Sequence, residues 1–151
     1  MSTDGESLDD IVAVTPTPAV KIAGALSLGS GLIACVLALQ AGALLEARGV
    51  YQLAEPIFLV LGAACLVGGY RLTRMRAGAA LLCATASGAL VLAALAWFVI
   101  TLLGGVFVLL ALGLVPLASV AAIASVASLK PVERASAARK RLRAQGLDAG
   151  L

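Results

Sequence analysis

Residues 77–129 read AGAALLCATASGALVLAALAWFVITLLGGVFVLLALGLVPLASVAAIASVASL, 53 residues without one charged side chain. At about 1.5 Å of rise per helical residue this run would extend about 80 Å, against a bilayer hydrocarbon core of about 30 Å. One span cannot use that length, and the helices of a soluble core have no need of it. The run therefore predicts two membrane-crossing helices joined by a tight turn at Gly104-Gly105, where paired glycines favour chain reversal.

Composition places the rest of the chain in the same solvent. The protein has 151 residues, of which 62% are hydrophobic and 13% charged, whereas soluble domains average about 45–50% apolar and about 25% charged residues. Outward from the central run, residues 56–70 offer a shorter uncharged stretch that reaches across a bilayer if Arg71 snorkels to the interface. Residues 22–45 supply another, longer than the apolar region of a cleaved signal peptide and preceded by acidic rather than basic residues. The predicted fold is an all-α integral membrane four-helix bundle with spans near 22–45, 52–71, 77–101 and 106–129. Pro116 falls inside the last of these, where membrane helices tolerate a kink. Residues 1–20, with Asp4, Glu6, Asp9, Asp10 and the run Thr15-Pro16-Thr17-Pro18, read as an irregular acidic tail. Residues 130–151 read as a basic amphiphilic helix that Pro131 opens and Gly146 ends.

Four spans divide the cations unequally. Ten of the 11 lysines and arginines fall on the side of both termini and the central loop, and only Arg48 falls on the other. The positive-inside rule then puts both termini in the cytoplasm of a cell with an inner membrane. Arg71, Arg74 and Arg76 in the loop, with Lys130, Arg134, Arg139, Lys140, Arg141 and Arg143 in the tail, become expected contacts for anionic lipid headgroups. No aromatic or motif context near them suggests nucleic acid.

The spans carry little reactive chemistry. Histidine is absent, which excludes a histidine-ligated haem or zinc site and a Ser-His-Asp triad. Cys35, Cys65 and Cys83 lack C-x-x-C spacing and read as small packing residues. No Asp, Glu, Lys or Arg falls at mid-depth, where secondary transporters keep their coupling groups. No cofactor, metal or catalytic residue is predicted, and the chain is not expected to be an enzyme.

Small residues at four-residue spacing are plentiful instead. Ser27, Gly31 and Cys35 form one ladder, Ala34, Ala38 and Gly42 a second, Ala64 and Gly68 a third, and Ala80, Ala84 and Gly88 a fourth. In lipid such ladders let backbones approach closely, within one bundle or between subunits. Gln40, Glu46, Arg48 and Glu55 gather near the outer face as a candidate polar site, with a solvated Glu–Arg pair as the plainer reading. Two functions fit. One is a non-catalytic accessory, scaffold or assembly subunit of a membrane complex. The other is an oligomeric, holin-like pore or small transporter with Gln40 and Glu55 at its outer mouth.

Overall fold

The structure is a computed structural model, and it describes residues 10–44, 53–103 and 109–144, without the side chains of 42–44. Every regular element in these segments is helical. A single helical turn at residues 10–14 precedes α1 (Pro18–Leu44), α2 (Ala54–Thr73), α3 (Ala79–Leu103), α4 (Leu109–Ala127) and α5 (Leu129–Ala144). Among the described residues α1 to α4 are long and apolar enough to cross a membrane, and the protein is an integral membrane helical bundle.

Local chemistry sets the helix ends. Pro18 occupies the first helical position of α1, where its missing N–H costs nothing, and the Lys21 amide closes the first bond onto the Thr17 carbonyl at 3.1 Å. At the end of α2 the Met75 amide donates to Leu72 O at 2.8 Å and the Arg76 amide to Arg71 O at 3.0 Å. Met75 itself has φ of 50°. This is a Schellman stop with methionine at the left-handed position that glycine usually takes. Burial of the Met75 side chain among Val20, Leu72 and Val132 holds the residue there. Gly78, with φ of 73°, then starts α3 by accepting from the Leu82 amide at 3.0 Å. The turn between α3 and α4, with Gly104-Gly105, lies outside the described residues.

The four long helices form an up-and-down ring in which α1 packs on α2, α2 on α3, α3 on α4 and α4 on α1, while the diagonal α1–α3 contact is slight. The α1–α2 contact is the most intimate, and glycines make it so. A methyl added at Gly31 would lie 2.8 Å from Gly62 O, one at Gly62 would lie 2.9 Å from Gly31 O, and one at Gly69 would lie 2.9 Å from Gly24 O. Gly24 and Gly31 on α1 thus face Gly69 and Gly62 on the antiparallel α2, and the two backbones touch. With no hydrophobic effect to draw helices together inside lipid, such close van der Waals approach is the main source of association.

Apolar clusters fill the bundle at both ends. Toward the α3–α4 hairpin, Leu37, Phe58, Leu90, Trp97 and Leu114 are buried together, with the Phe58 and Trp97 rings edge to face at 6.2 Å. At the end carrying the N- and C-terminal segments, Val20, Ala23, Leu72, Met75, Ala79 and Ala80 meet Val132 and Ala135 of α5. Helix α5 follows α4 after one break at Ser128. Pro131 cannot donate to the Ala127 carbonyl, so the α-helical ladder lapses there and α5 turns across the bundle end.

The acidic N-terminal segment differs from its sequence reading at its described end. Residues 10–14 are helical, and Val14 is buried because Ala138 and Leu142 of α5 provide an apolar surface for it.

Candidate functional site: a serine and cysteine layer above a basic floor

Between the two apolar clusters lies a layer of small polar side chains, each fully buried: Ser27 and Ser30 from α1, Cys65 from α2, Cys83 and Ser87 from α3, and Ser125 from α4. Ser27 Oγ donates to the Cys65 carbonyl at 3.0 Å, a side-chain bond from one span to the backbone of the next. The same oxygen lies 3.5 Å from Cys83 Sγ, and Cys65 Sγ lies 3.8 Å from Ser87 Oγ. Ser30 and Ser125 bond within their own helices, to Ser27 O at 3.0 Å and Ala121 O at 2.7 Å. Several hydroxyl protons are thus committed to carbonyls. Among the described residues no carboxylate, lysine or arginine enters the layer to act as a base, and no cluster of three or more His, Cys, Asp or Glu side chains could hold a metal. The layer can hold helices in register.

Below it α5 forms a floor. Val132, Ala135, Ala138 and Leu142 recur at helical spacing and turn inward, onto the ends of α1 to α3 and onto Val14. Arg139 fastens the floor to the α2–α3 turn: one terminal nitrogen donates to Arg74 O at 3.0 Å and the other to Met75 O at 3.4 Å. Arg141, with its side chain 73% exposed, stands 4.0 Å from the Asp10 carboxylate. Arg134, Lys140 and Arg143 are exposed on α5, as are Arg71, Arg74, Arg76 and Lys130 near the helix ends. The Arg74 guanidinium lies over the Tyr70 ring, 4.9 Å from its centroid.

The structure brings some sequence-selected residues together and separates others. Ser27, Gly31 and Cys35 all face α2, Ala38 is fully buried on the same helix, and Gly68 seats against Cys83 of α3. Ala84 and Gly88 sit on a half-exposed flank of α3, and a methyl on Gly88 would meet nothing within 4 Å. Gln40 is exposed on the outside of α1, and Glu55 is half-buried in the first turn of α2. Glu46 and Arg48 lie outside the described residues, and of Gly42 only the helical backbone is described. Gly24 and Gly62 fall outside the four-residue ladders, whereas Ser30 extends the one through Ala34 and Ser87 lies four residues after Cys83. The seven-residue intervals Gly24–Gly31 and Gly62–Gly69 are the signal that finds the glycine pairs.

An apolar groove of about 190 Å³ opens between α2 and α3 beside Ile57, Phe58, Ala96 and Trp97. Its walls are predominantly apolar. Neither a protein-family model, nor a curated protein, nor a solved structure matches this chain.

Proposed function

We propose that this protein is a non-catalytic accessory or scaffold subunit of a membrane complex, seated in the inner membrane with both termini in the cytoplasm. The observation that carries this reading is the filled axis of the bundle. Phe58, Leu37, Leu90 and Leu114 occupy one half, the serine and cysteine layer the middle, and Leu72 and Met75 the other end. A conducting bundle needs a polar, hydrated path, whereas among the described residues these buried side chains occupy the axis of the single chain.

The small-residue contacts on α1 and α2 support the same reading, because they are already used within one bundle. The orientation rests on the positive-inside rule: among the described residues Glu55 is the single charged side chain at the hairpin end, and every cation lies at the other. Lys21, Arg71, Arg76 and Lys130, exposed where the spans end, are suited to anionic headgroups.

Two measurements test the proposal. Purified protein in liposomes should carry no solute or ion in a saturable way, and a saturable flux would establish the pore or transporter instead. Crosslinking and mass spectrometry in the native membrane should return a reproducible heterologous partner. A ladder of homo-oligomers alone would count against the accessory role.

A further inference from the structure

A basic amphiphilic helix beside a membrane span usually lies with its apolar side in lipid. Helix α5 does not have that side free. Val132, Ala135, Ala138 and Leu142 are buried against the protein itself, and Arg139 is held by the carbonyls of Arg74 and Met75. The opposite side of the helix therefore points away from the bundle end. It carries Arg134, Lys140 and Arg141, all exposed, with Glu133 as the one carboxylate among them.

We infer that this outward face of α5 is a docking surface for an acidic segment of a soluble partner protein. The proposal deepens the accessory-subunit reading by giving the chemistry of a partner, and it rests on that reading. One observation favours a protein carboxylate over lipid phosphate here: a carboxylate from this chain, Asp10, already stands beside Arg141 at 4.0 Å. The spacing of Arg134 and Arg141, two helical turns apart on one side, suits an extended or helical acidic segment laid along α5.

The test uses the full chain in nanodiscs of phosphatidylcholine alone, so that the bilayer offers no net charge. The probe is a fluorescein-labelled twelve-residue peptide alternating glutamate and alanine. Binding is expected at low salt and should weaken as salt screens the pairs. The variant R134Q/K140Q/R141Q leaves the buried face and Arg139 untouched, and should weaken binding about tenfold, as three exposed pairs would. R71Q/R76Q, which removes cations at the membrane plane, should change it less than twofold.

Binding that ignores the α5 substitutions, or that falls as far with R71Q/R76Q, overturns the proposal. So does an α5 variant that keeps the peptide but loses phosphatidylglycerol in native mass spectrometry, which would assign the face to lipid. A saturable solute flux in liposomes would sink the accessory reading while leaving peptide binding intact, so the two failures can be told apart.

Discussion

Gly31 and Gly62 stand so close across the α1–α2 contact that a methyl on either falls within 3 Å of the other's carbonyl oxygen. Backbone cannot yield as a flexible side-chain end can, so Gly62→Ala must push the two helices apart. A loss of about 1–3 kcal/mol is expected, as for other overpacked sites. Gly88→Ala, with open space at its Cβ, should be neutral within about 0.5 kcal/mol. Unfolding of the two variants in mixed micelles checks the contrast, and equal stability would mean that α1 and α2 do not meet through glycine. Serines offer a second comparison. Ser27 Oγ bonds across to the Cys65 carbonyl, whereas Ser125 Oγ bonds within its own helix. Ser27→Ala should therefore cost about 0.6–2 kcal/mol and Ser125→Ala should cost less, by the same measurement.

Each long helix could be read from its uncharged run, because length and the absence of charge are local properties. The partner of each helix face could not. In a chain this rich in alanine, small residues recur at four-residue spacing on several sides of a helix, and only the assembled ring decides which side is used. Hence Gly31 and Gly68 lie at contacts while Gly88, in a ladder of the same form, faces open space. Each of α1 and α2 displays its own seven-residue glycine interval, but which glycine meets which is set only by the register of the assembled pair. Helix α5 poses the same difficulty: its apolar positions would suit a lipid surface as well as a protein one, and only Val20, Leu72 and Val14 beneath them settle the matter. Its docking can be broken from within. Leu142→Glu would bury a carboxylate without a partner, at a cost large enough to release this last, lightly held element. Trypsin should then cut between residues 139 and 143 at least tenfold faster in detergent, while Ala137→Glu, on the exposed side, should leave the rate within twofold. Equal protection of both variants would show that α5 is not held by that face.

At the scale of the whole molecule, an apolar bundle with cations gathered at one end has a preferred direction in the membrane. The long apolar spans make it cross, and the ring of Lys21, Arg71, Arg76 and Lys130 resists transfer to the far side. Native cysteines make a convenient background for testing this, since Cys65 and Cys83 are buried and Cys35 lies within α1, where a membrane-impermeant maleimide cannot follow. The unsubstituted chain should therefore stay unlabelled in both intact cells and inverted membrane vesicles. Ala137→Cys, exposed on α5, should be labelled only in inverted vesicles, and Gly104→Cys, at the turn joining α3 to α4, only in intact cells. Labelling of both positions from one side would mean an even number of crossings between them, where α4 alone should supply one, and would remove the four-span bundle. Exchange of the two results would keep the bundle and reverse its direction, and with it the side from which an acidic partner reaches α5.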